Sequence, residues 1–303
     1  MAPTTRQRAY AAWVVVCVFW GTTYLAIRIA LESIPPFFLA GWRYVLAGTI
    51  FLAVLRLRGE RLPPRSAWTH LAWLGLLLLG LGNGGVVWAE QTVPSGLTAL
   101  LVATTPFWMV AIDALMPGGD ALSSRRGAGL AVGFLGVLLL VWPDLQFHEG
   151  RRYVQGLAAA QVASLGWALG SNYSRRRGAE ENVLAAAALQ MLFGGVFLIV
   201  AGILHQEWRT LVIMPRTLAA WIYLVVFGGV VGFSAYAYAL KHLPVATVSL
   251  YAYVNPIIAV VLGTLILGEP FSARLAVAGA IVFVGMWVVR TAPRPVERGM
   301  RMD

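Results

Sequence analysis

The stretch VPSGLTALLVATTPFWMVAIDALMPGG, residues 93–119, decides the fold, because it returns 150 residues later as LPVATVSLYAYVNPIIAVVLGTLILGE, residues 243–269. Each copy carries two prolines and a glycine at intervals of twelve residues, namely Pro94, Pro106 and Gly118 in the first and Pro244, Pro256 and Gly268 in the second. Outside the copies, Gly82 and Gly232 keep the offset of 150. This pattern indicates an internal duplication of the chain.

The second proline of each copy, Pro106 or Pro256, lies inside an apolar run. A proline within a helix removes one backbone hydrogen bond and frees the carbonyl four residues earlier, here that of Val102 or Ala252. In lipid such a carbonyl needs protein or water beside it. Two interrupted apolar segments at matching places are typical of the binding site of a secondary transporter, so we interpret both prolines as hinges. The alternative is that each proline only bends its helix for packing.

The composition identifies an integral membrane protein. Of the 303 residues, 59% are hydrophobic and only 12% are charged, and the mean hydropathy is +0.74, outside the range of soluble domains. The only cysteine, Cys17, lies inside the first apolar run, which excludes an intramolecular disulfide and a cysteine metal site. Arg6 and Arg8 precede this run as in a secretory signal, but nine further apolar segments follow, and we interpret the run as a retained first span.

Ten segments have about the length and apolar character that a membrane span requires. They are residues Tyr10 to Ile29, Phe37 to Leu57, Ala67 to Ala89, Ser95 to Met116, Gly127 to Val141, Val154 to Tyr173, Val183 to Leu204, Leu218 to Leu240, Val245 to Leu267 and Leu275 to Val289. The loops between them are short and rich in proline and glycine. The sequence therefore predicts an all-α polytopic membrane protein with ten transmembrane helices in a single membrane domain.

Basic residues orient these spans. With a cytoplasmic N-terminus, sixteen lie inside: Arg6, Arg8, Arg56, Arg58, Arg61, Arg65, Arg125, Arg126, Arg175, Arg176, Arg177, Lys241, Arg290, Arg294, Arg298 and Arg301. Six lie outside, namely Arg28, Arg151, Arg152, Arg209, Arg216 and Arg274, and Arg43 falls within the second span. The positive-inside rule therefore predicts that both termini are cytoplasmic. This distribution also explains the net charge of +10 without a nucleic-acid partner.

Each copy contains five spans, an odd number, so the second copy enters the membrane from the opposite side. We therefore predict two inverted repeats, residues 9–145 and 153–290, followed by a cytoplasmic tail at 291–303. Inverted repeats of this kind are typical of alternating-access transporters in a cell membrane.

Several short features together resemble the EamA-type branch of the drug/metabolite transporter superfamily. They are Trp20-Gly21 in span one, Arg43 in span two, Pro94 to Pro106 in span four, and Ile266-Leu267-Gly268-Glu269-Pro270 after span nine. The resemblance covers nearly the whole chain and implies ten helices in two inverted five-helix repeats. It also implies a central cavity lined mainly by spans one, three, four, six, eight and nine, and export or exchange of small metabolites, often amino acids. The first copy departs from this pattern, because Gly119 stands where the second copy has Glu269.

Enzymatic and ATP-driven functions are disfavoured. The four histidines, His70, His148, His205 and His242, form no zinc-protease motif. An aspartyl site at Pro117-Gly118-Gly119-Asp120 would lie in a cytoplasmic turn, which does not favour catalysis. The only lysine, Lys241, follows Leu240, so a phosphate-binding loop that needs glycine before lysine is absent. We expect no cofactor and no metal, and an energy source in a gradient or a counter-substrate.

Ionisable residues within spans are costly and are therefore candidate sites. Arg43 either attracts a substrate carboxylate or pairs to hold spans together. Glu90 shares a helix face with Asn83 and either binds an amine or a proton or contacts lipid headgroups. For Asp113, near the cytoplasmic end of span four, we expect a structural role beside Arg125 or Arg126.

Aromatic and amide residues complete the candidate pocket. The predicted substrate-binding set is Trp20, Tyr24, Asn83, Trp88, Glu90, Thr105, Trp108, Trp167, Tyr251 and Asn255, with Pro106 and Pro256 as hinges. Most other tryptophans lie near span ends, where indoles anchor in the lipid interface. Aromatic walls with a few amides suit an uncharged or zwitterionic organic solute better than a bare ion.

Three functions follow from these features. The leading prediction is a monomeric exporter or exchanger of amino acids or similar amphipathic compounds, working by rocking of the two halves about a midplane cavity. The alternative is a channel or facilitator, which would need rings of repeated polar groups, whereas the matched positions hold Thr105 and Asn255. A membrane scaffold or receptor is the third.

Overall fold

The computed structural model describes residues 4–117, 119, 122–146, 150–177 and 182–292. Within these ranges the chain is almost entirely helical and contains no strand, which confirms the predicted all-α fold. Gly118, Asp120, His148, Arg294, Arg298, Arg301 and the predicted tail beyond residue 292 lie outside the described residues. The expectations placed on them stay predictions.

The described ranges hold ten helical segments, one for each predicted span. They are α1 (Thr5–Ala30), α2 (Pro36–Leu57), α3 (Arg65–Ala89), α4a (Ser95–Val102) with α4b (Thr105–Leu115), α5 (Ser124–Gln146), α6 (Gly150–Arg177), α7 (Val183–Leu204), α8 (Pro215–His242), α9a (Val245–Val248) with α9b (Tyr251–Leu267), and α10 (Ala273–Thr291). A further 3₁₀ turn, Glu207–Arg209, follows α7.

Eight of these helices are long and apolar enough to cross a bilayer. The helix α9b has only 17 residues, because the span is interrupted before Tyr251. The helix α6 has 28 residues but is the most polar of the ten. Its polar residues Ser164 and Asn172 are buried against other helices rather than exposed to lipid, which is where a spanning helix tolerates them.

Local chemistry sets several helix ends. Before α1, the Thr4 hydroxyl accepts from the backbone N–H of Gln7 at 3.3 Å while the Gln7 side chain accepts from the Thr4 N–H at 2.7 Å, a reciprocal cap. Ser272 caps α10 in the simpler way, through the N–H of Leu275. The helices α2 and α8 begin with Pro36 and Pro215, which need no hydrogen-bond acceptor at the first helical position.

Two helix pairs join the repeats through glycines. In the pair α2 and α7, a Cβ added to Gly41 would lie 3.0 Å from the carbonyl oxygen of Gly195. In the pair α5 and α10, a Cβ on Gly285 would lie 2.6 Å from the backbone nitrogen of Gly133. Small residues allow helix backbones to approach this closely in membranes. Each pair takes one helix from each repeat, so the two repeats are interleaved.

The helices α1 and α6 make equivalent contacts with the opposite repeat. The helix α1 packs against α8 and α9b, and α6 packs against α3 and α4b. These contacts surround the centre of the molecule, where α4 and α9 are both interrupted. The fold therefore leaves a space between the repeats at the level of the two breaks.

Candidate functional site

A cavity of about 560 Å³ lies between the two repeats. Its wall takes residues from α1, α3, α4, α6, α8 and α9, and also from α2, α5 and α10. At one end the wall reaches Asp113, Arg126 and Arg290, which lie at helix ends that the charge distribution assigns to the cytoplasm. At the other end it stops at Ile27 and Ala99, which are 2% and 1% exposed. The cavity is therefore closed toward the predicted outer side.

Most of the predicted site residues lie on this wall: Trp20, Tyr24, Asn83, Thr105, Pro106, Trp167, Tyr251, Asn255 and Pro256. The structure places Trp88, Trp108 and Glu90 elsewhere. The Trp88 ring stacks on Phe37 with centroids 5.0 Å apart. The Trp108 indole donates to the Gln161 side-chain oxygen at 3.1 Å. In this conformation the two tryptophans therefore hold helices together.

Trp20 is the centre of an aromatic cluster on the wall. Its indole N–H donates to the carbonyl of Gly228 in α8 at 3.1 Å. Its ring lies 5.1 to 5.2 Å, centroid to centroid, from the rings of Phe233, Tyr236 and Tyr251. Offset and edge contacts at these distances stabilise aromatic groups beyond their buried area. This cluster joins α1 to α8 and α9 and presents an apolar surface to the cavity.

The middle of α3 and of α8 is π-helical, over Gly75–Asn83 and Leu224–Val231. Each π-helical segment ends beside a glycine that packs against a tryptophan of the other repeat. Gly232 lies against Trp20, and Gly82 lies against Trp167. Wide helical turns leave backbone groups less regularly bonded and are frequent at functional sites. Both tryptophans lie on the cavity wall. A π-helical segment whose glycine packs against a tryptophan of the other repeat therefore borders the cavity at two places.

The two proline breaks differ, which corrects the expectation of matched mid-helix prolines. Pro106 lies in the first turn of α4b, after a turn at residues 103–104 that separates α4a from α4b. The carbonyl of Val102 accepts from the Thr105 hydroxyl at 2.6 Å. Pro256 does lie inside its helix, α9b, but the interruption comes earlier, at residues 249–250. The first proline therefore begins a helix, whereas the second is carried within one.

Asn255 does not adjoin the break either, because it lies in the second turn of α9b and is 7% exposed. With its amide nitrogen turned toward the neighbouring carbonyls, the side chain donates to Cys17 at 3.0 Å and to Tyr251 at 3.1 Å. The first of these bonds crosses from α9b to α1. Asn255 therefore joins two helices of the cavity wall.

Arg43 projects from α2 onto the wall and is 5% exposed. One terminal nitrogen, Nη2, donates to the Tyr44 hydroxyl at 2.6 Å and to the Asn83 side-chain oxygen at 2.7 Å. The other, Nη1, has no hydrogen-bond partner among the residues that the structure describes. The guanidinium also lies 4.5 Å from the centroid of the Tyr44 ring, a cation–π distance.

Glu90 ends α3 and is fully buried, although it is not on the cavity wall. Neither carboxylate oxygen has a hydrogen-bond partner within the described part of the chain. Arg28 donates to the backbone carbonyl of Glu90 rather than to the side chain. A buried carboxylate without partners is costly, and the role of Glu90 as an amine or proton site stays a prediction.

Glu269 contacts the start of α4a, about one turn before Ala99 at the closed end of the cavity. It follows Gly268, which ends α9b at φ 66°, a left-handed conformation that glycine adopts readily. The carboxylate accepts from the Ser95 and Gly96 N–H groups at 2.8 and 3.1 Å and from the Ser95 hydroxyl at 3.0 Å. A carboxylate at a helix N-terminus is stabilised by the unpaired N–H groups there. This contact fastens α9b to α4a, one helix from each repeat.

A second carboxylate caps a helix on the same side. Glu207 accepts from the N–H groups of Phe37 and Phe38, at the start of α2, at 3.1 and 2.8 Å. Burial raises the pKa of the Glu207 carboxyl, and the hydrogen bonds from Phe38 and Phe37 oppose that rise. This contact lies away from the cavity.

Charged residues surround the end of the cavity that is predicted to face the cytoplasm. Asp113 forms ion pairs with Arg175 and, at 3.2 Å, with Arg176, both on α6. Asn172 donates to the carbonyl of Met109 at 3.0 Å. These contacts join α4b to α6 and give Asp113 two arginine partners on α6, where the sequence suggested Arg125 or Arg126. Among the described residues, no group of three or more histidine, cysteine or acidic side chains has the arrangement of a metal site.

Comparison with known proteins agrees with this architecture. The model of the EamA-like transporter family matches the chain twice, over residues 7–142 and 154–291. The chain belongs to this family. It is therefore a membrane transporter, and the resemblance noted in the sequence is confirmed.

Two curated relatives of this EamA-like transporter are named as transporters themselves. The chain is 37% identical over 279 residues to "Uncharacterized inner membrane transporter YedA" of Escherichia coli (strain K12), with 90% of this chain and 88% of that protein covered. It is 24% identical to "Uncharacterized transporter YvbV" of Bacillus subtilis (strain 168), with coverage of 95% and 93%. A crystal structure at 23% identity, TM-score 0.62, covers 92% of this chain and 95% of its own and supports the fold alone.

Sequence reasoning left two groups of the EamA-like site unassigned. Arg43 was open between pairing and binding, because neither Asn83 nor Tyr44 on the cavity wall is recognisable as its partner from spacing. Glu269 belonged to the family resemblance without a role, and only the structure shows its contact with α4a. The signal for both was a charged residue in or beside an apolar span.

Proposed function

We propose that the chain is a secondary transporter that exports or exchanges small organic metabolites, amino acids or similar amphipathic compounds, by alternating access. The observation that carries the proposal is a cavity between the repeats that stops at the buried residues Ile27 and Ala99 at one end and reaches helix ends at the other. Alternating access requires a central site that faces one side at a time. This cavity has that form.

The chemistry of the wall supports an amphipathic solute. The aromatic cluster around Trp20 provides an apolar face, and Arg43 with Asn83 provides a polar one. The volume of about 560 Å³ falls within the range for small-molecule sites, roughly 300 to 1,000 Å³. A molecule with one apolar and one polar end fits such a wall better than a bare ion does.

The sequence supports an orientation for the cavity and an energy source for transport. The excess of arginine on one side supports cytoplasmic termini in a cell inner membrane, with the cavity facing the cytoplasm. The absence of a glycine-lysine phosphate loop in the sequence favours a gradient or a counter-substrate over ATP.

Flux measurements in proteoliposomes test this proposal. We expect radiolabelled amino acids preloaded as a panel to leave the vesicles in a saturable manner, without ATP, and faster when unlabelled solute is present on the other side. Acceleration by solute on the opposite side is a property of a carrier, because the loaded site returns faster than the empty one. Protein-free vesicles are the control.

Two results would contradict the proposal. Flux that never saturates and carries single-channel current would identify a channel, the alternative function. Flux that occurs only when ATP is supplied to the purified protein would require a pump.

A further inference from the structure

We propose that Arg43 is the recognition group for a carboxylate on the transported solute, with Asn83 and Tyr44 as its supporting donors. The inference rests on the proposed transport function and specifies the chemical class of the solute. It assigns the polar end of the cavity to an organic anion or to the anionic end of a zwitterion.

The position of Arg43 makes this assignment possible. Arg43 is 5% exposed but lies on the cavity wall, and its buried Nη1 lacks a hydrogen-bond partner among the described residues. A buried guanidinium with an unused pair of N–H groups is costly. A ligand that accepts hydrogen bonds from Nη1 would remove that cost. Packing of the chain alone does not explain why the free-energy cost of the unpaired Nη1 is left without compensation.

The hydrogen bonds that Arg43 already makes determine which donors remain available to a ligand. Its Nη2 donates to the Asn83 side-chain oxygen, so the Asn83 amide nitrogen remains available as a donor. Nη2 also donates to the Tyr44 hydroxyl, whose own hydrogen is then free to donate elsewhere. No hydrogen-bond acceptor for either group is recorded within the described ranges. Three side chains on one wall therefore offer donors, and a carboxylate, which only accepts, is complementary to all three.

No acid of the protein takes this place in the structure. The charge of Glu90 interacts with those of Arg28 and Arg43. Yet the side chains of Glu90 and Arg43 form no ion pair within 4.0 Å in the described part of the chain, and both Glu90 oxygens lack partners. The charge is also not repeated, because the equivalent helices α2 (Pro36–Leu57) and α7 (Val183–Leu204) start 147 residues apart, which matches Arg43 with the uncharged Gln190. A charge present in one repeat only suits a ligand with one charged end.

Matched ligands test the assignment without transport. We would measure the dissociation constants of 3-phenylpropionate and 3-phenylpropionamide by calorimetry on the purified protein at pH 7, together with the pairs leucine and leucinamide and phenylalanine and phenylalaninamide. The first pair has no amino group, so the carboxylate is its only charged group. We expect the native protein to prefer the carboxylate of each pair that binds. In Arg43→Gln the affinity for the carboxylate should fall about tenfold to hundredfold, while that for the amide changes little.

Three variants keep the test decisive. Asn83→Ala removes one supporting donor and should lower carboxylate affinity less than Arg43→Gln does. Arg216→Gln removes an exposed arginine that pairs with Glu32 outside the cavity, and should leave both affinities unchanged. The double variant Arg43→Gln with Glu90→Gln should remain unable to distinguish carboxylate from amide. Thermal unfolding of each variant reports whether it is folded, and the Asn83→Ala comparison serves if Arg43→Gln is not.

Several results would overturn the assignment. Equal affinity for carboxylate and amide in the native protein would do so, as would an equal loss of both in Arg43→Gln. Recovery of the native preference in the double variant would mean that Arg43 only balances Glu90. Saturable flux of neutral or cationic solutes, with no carboxylate bound, would refute this inference but leave the transporter proposal intact, whereas a lack of flux for every solute would count against the transporter proposal itself.

Discussion

Asn255 and Thr105 occupy matched positions in the two copies but differ in the partners of their side chains. The Thr105 hydroxyl bonds to the carbonyl of Val102 within its own span, as hydroxyls in helices often do. The Asn255 amide reaches the carbonyl of Cys17 on another helix. Equivalent positions therefore have unequal effects on the assembly of the helices.

The first prediction compares Asn255→Ala with Thr105→Ala. Asn255→Ala removes two hydrogen bonds, each contributing about 0.5 to 1.5 kcal/mol, and one of them joins α9b to α1. We expect it to lower the unfolding temperature of the purified protein more than Thr105→Ala does. Differential scanning fluorimetry in detergent measures both.

An unchanged unfolding temperature in Asn255→Ala, together with weaker binding of the best ligand, would contradict this account. The amide would then contact the solute rather than its neighbouring helix.

At the residue scale, the sequence identified types of side chain but not their partners. Aromatic residues such as Trp20 and Tyr251 were predicted to line a pocket, and they lie on its wall. The contact of Arg43 with Asn83 joins two spans and depends on how these helices are rotated against each other. No spacing within one helix encodes that rotation.

Single interactions also determine how whole elements meet. Glu269 fastens α9b to α4a at the closed end of the cavity, while Glu207 caps α2 in a similar way but away from it. Both carboxylates accept from backbone N–H groups at a helix start. Only the first lies between the helices that must separate for the cavity to open outward.

The second prediction is that Glu269→Ala exposes the cavity to the outer side. Three hydrogen bonds to a charged group are lost, and one alone contributes about 1.5 to 3 kcal/mol, so the outward-open population should rise about tenfold or more. In a Cys17→Ala background, a cysteine in place of Ala99 would report this opening through faster reaction with an impermeant thiol reagent outside intact cells. Glu207→Ala, the matched control, should leave the rate unchanged.

If Glu269→Ala and Glu207→Ala accelerate labelling equally, the effect would be general loosening of the outer helix ends. No acceleration in either variant would mean that the contact of Glu269 with α4a does not close the cavity.

The third prediction concerns the α5 and α10 pair. In Gly285→Ala the new Cβ would lie 2.6 Å from the backbone nitrogen of Gly133, so the helices must move apart. In Gly127→Ala, in the first turn of α5, the nearest atom is 3.8 Å away, and alanine favours the helix. We expect a lower unfolding temperature only for Gly285→Ala. A similar loss in both variants would mean that close packing at Gly133 is not the cause.

Element by element, the sequence predicted the helices better than their interruptions. Long apolar runs determine where helices form, and each of the ten predicted spans is helical in the structure. The position of the breaks depends on more than proline, because Pro106 begins α4b while Pro256 lies within α9b. No proline in the sequence marks the two π-helical segments, so they were not predicted.

Topology is the prediction at the scale of the whole molecule. In a Cys17→Ala background, single cysteines would replace Ser66 in the first turn of α3 and Gln91 after its end, both exposed positions. An impermeant thiol reagent applied to intact cells should label position 91 and not position 66, because the arginine-rich side is cytoplasmic. Labelling at position 66 alone would reverse the orientation.

The overall architecture followed from two properties that any folded form of this chain must satisfy. Apolar segments of sufficient length must cross the membrane. An odd number of spans in each copy gives the second copy the opposite orientation in the membrane. How the copies interleave through glycines such as Gly41 and Gly195 was not predictable, because small residues are common throughout the apolar runs.

The close contacts at the glycines limit which groups of helices can move relative to each other during a transport cycle. Because α2 packs backbone against backbone on α7, and α5 on α10, neither pair can part without losing its closest contacts. A rigid-body rotation of one copy against the other would have to break both of these helix–helix interfaces. For the alternating access that we propose, we therefore expect the moving units to be bundles that each combine helices from both copies, and not the two copies themselves.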